Sequence, residues 1–156
     1  MRSATTASIL LSGLARALVI PTDLDDGAWA FTPGAGAAPT RPLARRQQGP
    51  PPLPSPVLQC GAGYVNGSEL AAAREGFSSV CDQGRSFPAG VGIVVARGST
   101  LAYMCNGAAE NRCWRFEFDQ ANGIMDGGCG SGRAGMVRIP AYSKAYGRAS
   151  RGDDIC

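Results

Sequence analysis

The cysteines constrain the fold of this chain more than any other feature. All of them follow residue 59 of the 156, and an even, dense set in a short chain predicts three disulfides, which could be joined in 15 ways. No Cys-x-x-Cys occurs, so the usual spacing of zinc, thioredoxin-like and iron–sulfur sites is absent. We therefore predict a disulfide-stabilised domain that needs no metal and no cofactor. The six cysteines are Cys60, Cys81, Cys105, Cys113, Cys129 and Cys156.

The composition excludes several functions. The chain contains no histidine, which rules out imidazole general bases, Ser-His-Asp triads and histidine metal ligands. Its formal net charge of +3 is too small to indicate a nucleic-acid-binding protein. Its 22 glycines and 11 prolines indicate that part of the chain lies outside a compact core.

The N-terminus predicts a secretory signal peptide over residues 1–17. Arg2 precedes an apolar run from Ile9 to Ile20 that Arg16 interrupts, which fits a signal peptide better than a membrane span. Small residues at the cleavage spacing allow a cut after Ala15 or after Ala17. No later segment is apolar enough to span a bilayer, so we expect a secreted, extracellular protein with no membrane span.

The next segment predicts processing. From Pro21 to Val57 no helical or strand period is present, and Gly, Ala, Pro and Thr dominate, so we expect no core there. The pair Arg45-Arg46 precedes a polar, proline-rich stretch and resembles a kexin-type propeptide site of fungal secretory proteins. The predicted divisions are a propeptide over 18–46, a proline-rich disordered tail over 47–57 and a cysteine-rich domain over 58–156.

Residue periodicity predicts a mixed α+β fold in the cysteine-rich domain. The segment from Cys113 to Cys129 fits both strand alternation and helical spacing, and its length favours a helix. The resulting βαββαβ order predicts a small ferredoxin-like sandwich, an antiparallel sheet with two helices on one face. The other predicted elements are a strand at 57–60, a helix at 69–81 with Ser68 as its N-cap, a hairpin of 92–96 and 101–105, and a strand at 135–139.

The tripeptide Asn66-Gly67-Ser68 has two interpretations. In a secreted chain it is an N-glycosylation sequon, which makes Asn66 a candidate glycosylation site. The same residues are equally typical of a turn and cap before a helix.

Cysteine placement and element order suggest a family. The relevant features are Tyr103-Met104-Cys105, Cys113, a helix ending at Gly127-Gly128-Cys129-Gly130-Ser131, the strand Met136–Ile139 and a terminal Cys156. This layout resembles small secreted cysteine-rich proteins of filamentous fungi and, loosely, the α/β-sandwich killer toxins of smut fungi. The resemblance implies an effector-like or toxin-like role in virulence. The family's lysine-dependent toxic surface has no counterpart, because the chain has one lysine, Lys144, so no functional residue is carried over.

The C-terminal segment interleaves aromatic residues with cations. This pattern can stack on sugars or bases and hold anionic groups. An edge strand with its polar face in water shows the same alternation. The candidate ligand surface consists of Arg133, Arg138, Tyr142, Lys144, Tyr146, Arg148 and Arg151.

Together these features predict a monomeric, non-catalytic protein that binds a host or competitor protein or glycan, with no specific nucleic-acid partner. One alternative is a small hydrolase that cleaves glycan or RNA through carboxylates, and another is a glycan-binding cell-wall or surface protein. No two carboxylates form a recognisable catalytic pair, so no catalytic residue is assigned. The candidate carboxylates are Glu69, Glu75, Glu110, Glu117, Asp119, Asp126, Asp153 and Asp154.

Overall fold

The structure is a computed structural model that describes residues 18–32, 35–38 and 51–156. Its helices are α1 (Gly67–Cys81) and α2 (Arg115–Gly128), with a short 3-10 helix at Pro140–Tyr142. The strands are β1 (Leu18–Val19), β2 (Gly27–Thr32), β3 (Ala35–Ala38), β4 (Val57–Tyr64), β5 (Arg85–Phe87), β6 (Gly92–Arg97), β7 (Thr100–Asn106), β8 (Asn111–Cys113), β9 (Arg133–Ile139), β10 (Lys144–Ser150) and β11 (Asp154–Ile155).

A seven-stranded sheet in the order β3-β2-β6-β7-β10-β9-β4 forms the centre of the described structure. All neighbouring strands in it are antiparallel. The predicted α+β class, antiparallel sheet and two helices are confirmed. The predicted six-element βαββαβ sandwich is not the observed topology, because β10 lies between β7 and β9 and β2 extends the sheet beyond β6. The remaining described strands form two separate two-stranded sheets, β1–β11 and β5–β8.

The two faces of the sheet differ. Both helices pack on one face, where Phe77 of α1 and Phe118 of α2 stack with ring centroids 4.1 Å apart over the central strands. The opposite face, called here the helix-free face, carries a second apolar cluster that includes Val94, Leu101 and Tyr103. Residues from the N-terminal segment, among them Ile20 and Phe31, belong to this second cluster.

The N-terminal segment contributes to the core, although the sequence predicted no core between Pro21 and Val57. Trp29 and Phe31 alternate with small residues along β2, and Phe31 is only 4% exposed. β2 pairs with β6 over Gly27–Phe31, so part of the predicted propeptide is a strand of the main sheet. The predicted signal peptide and the Arg45-Arg46 site lie outside the described residues.

The described part of the predicted disordered tail, residues 51–57, packs on α2. Leu53 is 8% exposed, and its backbone N–H donates to Gln120 Oε1 at 3.1 Å. Gln120 Nε2 in turn donates to the Pro51 carbonyl at 3.1 Å. One helical side chain therefore satisfies two backbone groups that a disordered tail would leave to water.

Three disulfides join the six cysteines, as predicted, and no free cysteine remains. Cys60–Cys129 connects β4 to the end of α2, Cys81–Cys113 connects the end of α1 to β8, and Cys105–Cys156 connects β7 to the last residue. In the chain-entropy account, each crosslink of this sequence separation stabilises the fold by about 4 kcal/mol. The disulfides thus fix both helices and the C-terminus to the strands.

The two helices occupy the predicted regions. α1 begins at Gly67, two residues before the predicted start, and its N-cap is Asn66 in place of Ser68. The Asn66 Oδ1 accepts from the backbone N–H groups of Ser68 and Glu69, at 3.0 and 3.2 Å. α2 confirms the helical interpretation of the ambiguous segment, since Phe118, Ala121 and Met125 share its buried face.

Candidate functional site

A group of ionisable side chains lies inside the fold, between β10 and α2. Glu117 Oε2 accepts from Lys144 Nζ at 2.5 Å and from Tyr146 Oη at 2.6 Å. Lys144 also donates to the Arg112 carbonyl at 2.9 Å, and the backbone N–H of Trp114 donates to Tyr146 Oη at 3.3 Å. Lys144 and Glu117 are only 7% and 6% exposed, so the charged atoms of this cluster are withdrawn from solvent.

Burial controls the titration of this cluster. Burial lowers the pKa of Lys144, and the hydrogen bond and charge of Glu117 oppose that shift. Burial also raises the pKa of Tyr146 well above its ordinary value, and the negative charge of Glu117 adds to the effect. The carboxylate is the acceptor for both donors, so the cluster is a closed hydrogen-bonded unit of the core.

A second buried cation extends the same arrangement along β10. Arg148 is fully buried, and its Nη1 donates to Asp126 Oδ1 at 2.6 Å. Its remaining nitrogens donate to the carbonyls of Arg133 and Gly130, at 2.7 and 3.1 Å. Lys144 and Arg148 lie four residues apart on β10 and each pairs with a carboxylate of α2, so the charges of this strand hold the helix on the sheet.

The structure does not bring the predicted ligand-surface residues together. Lys144, Tyr146 and Arg148 project toward α2 inside the fold, so their assignment to an exposed surface is wrong. The sequence pattern of an edge strand belongs here to a central strand whose polar face is covered by a helix carrying matching carboxylates.

The remaining predicted surface residues are dispersed. Arg151 pairs with Asp26 at 2.7 Å, with its side chain 10% exposed. Arg133 donates to the Gly61 carbonyl at 3.0 Å and lies over the ring of Tyr64. Only Arg138 and Tyr142 are exposed.

Most of the candidate carboxylates with described contacts have structural roles. Glu69 accepts from the backbone and hydroxyl of Ser99 and from the Thr100 hydroxyl, and the Ser99 hydrogen bonds lower the pKa of Glu69. Asp119 pairs with two arginines at the surface, and Asp153 accepts from the backbone N–H of Ser150 at 2.9 Å. These carboxylates therefore hold turns and helices in place.

The helix-free face carries two adjacent grooves. The first groove, of about 600 Å³, contains Phe31, Met136 and the exposed Arg138, together with the Cys105–Cys156 disulfide. The second groove, of about 480 Å³, lies on the other side of Met136, which lines both.

Small residues on β10 make room for these grooves. Ala145 lines the first groove and Ala149 the second, so the central strand lies at the floor of this face. Between them a Cβ on Gly147 would lie 2.2 Å from the Tyr103 ring, so glycine allows that ring to lie flat across the strand. Burial, together with the charge of Asp153, raises the pKa of Tyr103, so this phenol keeps its proton to a higher pH than an exposed tyrosine does.

Charge is distributed unevenly between the grooves. Arg138 is exposed in the first groove and forms no ion pair within the described part of the chain. Asp153 and Asp154 line the second groove. Sequence reasoning identified Arg138 but missed Met136 and Phe31; the alternation of Trp29 and Phe31 with alanines was the available signal for the latter.

Asn66 is exposed and is the N-cap residue of α1. The atom that caps α1 is Oδ1, whereas a glycan is joined to the amide nitrogen. The cap interpretation and the glycosylation prediction therefore involve different atoms of the same side chain.

Over residues 18–32, 35–38 and 51–156, no group of three or more Cys, Asp or Glu side chains is placed to hold a metal ion. Within the same ranges, no helix is long and apolar enough to cross a membrane. No protein-family model matches this chain, and no curated protein or solved structure matches it either.

Proposed function

We propose that this chain is a secreted, disulfide-stabilised, non-catalytic binding protein of the effector or toxin type, and that it recognises a host or competitor protein through the helix-free face. The observation that carries the proposal is the pair of grooves on that face. They combine an apolar floor with an exposed arginine at one end and carboxylates at the other.

The chemistry of the face favours a protein partner. Met136 is partly exposed and offers apolar contact to a side chain of the partner, and arginine and methionine are enriched in protein interfaces. Arg138 and Asp154, in different grooves, give the face opposite charges at its two ends, which orients a partner of complementary charge. A sugar would instead require several directed polar groups beside an exposed aromatic ring.

The use of the carboxylates supports binding over hydrolysis. A glycosidase requires two carboxyl groups that face one substrate bond. Here Glu117 is enclosed with Lys144 and Tyr146, and Asp126 is engaged by Arg148, both on the helix side of the sheet. Of the two carboxylates that line the second groove, Asp153 and Asp154, the first accepts from the backbone N–H of Ser150 at 2.9 Å and so holds a turn.

Secretion forms part of the proposal. The three disulfides are compatible with an oxidising compartment, since such bonds are rare in the reducing cytosol. Recovery of the disulfide-bonded protein from culture medium, with a mass six hydrogens below that of its reduced form, is the expected result. A cell-retained chain with free thiols contradicts it.

The experiment compares Arg138→Glu with Arg112→Glu. Arg112 is also exposed on a strand, but it lies on β8, outside the main sheet, and is the matched control. Each protein is immobilised and exposed to extracellular host or competitor proteins, and the retained proteins are quantified by mass spectrometry. We expect wild type and Arg112→Glu to retain a common partner that Arg138→Glu retains at least about tenfold less.

Two further arms make the result decisive. Arg138→Lys preserves the charge and is expected to restore most of the retention. Equal retention by Arg138→Glu and wild type would overturn the use of this face. Retention on chitin, glucan or cellulose would favour the wall-protein alternative, and hydrolysis of a polysaccharide or RNA that a carboxylate substitution abolishes would favour the hydrolase.

A further inference from the structure

The N-terminal residues 18–32 contact the rest of the protein in the manner of a bound peptide. β2 forms an antiparallel ladder with β6 from Gly27↔Ala96 to Phe31↔Gly92, and β3 pairs with its other side as the outermost strand of the main sheet. β1 pairs with β11, and the Ile20 carbonyl accepts from the backbone N–H of Gly152. Backbone pairing of an added strand is a recurring mode of peptide recognition.

A notch in β6 accommodates the aromatic ring of this segment. Phe31 lies over Gly92, where a Cβ would be 2.4 Å from the ring carbon Cζ and 2.6 Å from the Met104 carbonyl oxygen. Only glycine leaves this space. The space over Gly92, bordered by Val94 and Tyr103, forms a specific position for one aromatic side chain.

A polar anchor fixes the other end of the strand. Asp26 Oδ1 accepts from the backbone N–H of Gly98 at 2.9 Å and from Arg151 Nη2 at 2.7 Å. Asp26 precedes Phe31 by five residues, so a carboxylate and an aromatic ring define both the register and the direction of the bound strand.

The covalent framework closes without this segment. All three disulfides join residues within 60–156, and residues 18–32 contain no cysteine. The predicted cut at Arg45-Arg46 separates the segment from the disulfide-bonded part. After such a cut, only strand pairing, apolar contact and the Asp26 anchor would hold residues 18–32.

We propose that the edge of β6, with the neighbouring helix-free face, is a strand-acceptor site, and that residues 18–32 are its resident ligand. The site takes an extended peptide that has a carboxylate facing Arg151 and an aromatic residue five positions later over Gly92. The processed protein then consists of two non-covalently associated chains. This proposal goes beyond the proposed function, because it concerns the β6 edge and not the partner of Arg138.

The test uses the full chain with a specific protease recognition sequence in place of residues 41–47, so that it does not depend on natural processing. After cutting, we expect the N-terminal fragment to co-elute with the disulfide-bonded part in gel filtration and native mass spectrometry. A labelled synthetic peptide of residues 18–32 is expected to exchange into the cut protein. Uncut protein is expected to exclude it, because the tethered segment has a high effective concentration.

Competition by unlabelled peptides gives the specificity. We expect Phe31→Glu to compete at least about tenfold less well than the natural peptide, because it places a charge in the apolar notch. Thr32→Glu, at an exposed neighbouring position, is the control and is expected to compete like the natural peptide. Any of three results would overturn the proposal: failure of the labelled peptide to enter the cut protein, equal competition by both variants, or unfolding of the disulfide-bonded part on cutting.

Discussion

At the scale of the residue, the charges on β10 show how a polar pattern is used inside a fold. Lys144 and Arg148 are buried, and each is matched by a carboxylate on α2. A buried cation is tolerated only when it is paired and hydrogen-bonded, and each of these also donates to at least one carbonyl. Their role is to align the helix with the strand.

Two aspartates of α2 allow a matched test of this role. The side chains of Asp126 and Asp119 are 40% and 41% exposed, but Asp126 pairs with the fully buried Arg148, whereas Asp119 pairs with arginines at the surface. We expect Asp126→Asn to lower the free energy of unfolding by about 2 kcal/mol, because it weakens the pairing of a buried cation. Asp119→Asn is expected to cost less than about 1 kcal/mol, as surface pairs usually do.

Urea unfolding of the two variants, with the disulfides intact, measures the difference. Equal losses of stability would contradict the structural role of Arg148.

At the scale of the element, two helix glycines differ in their surroundings. A Cβ on Gly123 of α2 would meet nothing within 4 Å, whereas a Cβ on Gly76 of α1 would lie 2.9 Å from Val95 and 3.1 Å from Arg97. We expect Gly123→Ala to raise the free energy of unfolding by about 0.5–1 kcal/mol, because alanine favours the helix. Gly76→Ala is expected to gain nothing or to destabilise, since its methyl group crowds β6.

Thermal unfolding of both variants is the measurement. A stabilising Gly76→Ala would show that α1 is not packed against β6 as described.

The elements found from the sequence are those whose pattern is local. The helical spacing of Leu70 and Phe77, and the apolar run of β6, predicted α1 and the hairpin correctly. The buried role of Lys144 was missed because its partner Glu117 lies 27 residues away and the pairing is not visible in either segment alone. β2 was missed because its alternation of aromatic and small residues is short and lies within a segment rich in glycine and proline.

The grooves were not predicted either, because the residues that line them are distant in the sequence. Arg138 was recognised as a candidate cation from its residue type. The groove it lines depends on Phe31, which β2 brings to the same face from more than 100 residues away in the sequence.

At the scale of the whole molecule, burial of tyrosine predicts how stability depends on pH. Burial raises the pKa of both Tyr103 and Tyr146 above the ordinary value of 10.0. The folded state therefore holds these protons more tightly than the unfolded state, and the stabilisation is complete below about pH 10 and is lost above it. The pKa of Lys144 is lowered below its ordinary value of 10.5, so the folded state releases this proton at a lower pH than the unfolded state. Up to about pH 10.5 this raises stability with rising pH and offsets part of the loss due to the tyrosines.

We expect the free energy of unfolding to fall above about pH 10, by about 1.4 kcal/mol per pH unit for each buried tyrosine. Tyr103→Phe removes one of these contributions and is expected to reduce the slope. Urea unfolding at several pH values between about 8 and 11 measures it. Identical slopes for wild type and Tyr103→Phe would contradict the burial of this phenol.

The sheet of this protein has two faces: the helices cover one, and the N-terminal residues complete the edge of β6 and cover part of the other. Hydrogen exchange of the intact, disulfide-bonded protein, read by mass spectrometry over Gly27–Thr32, tests this arrangement. We expect the amides of β2 paired with β6 to exchange slowly, and Phe31→Ala to make them exchange faster. Exchange of Gly27–Thr32 at the rate of an unstructured peptide, beside a protected β7, would contradict it.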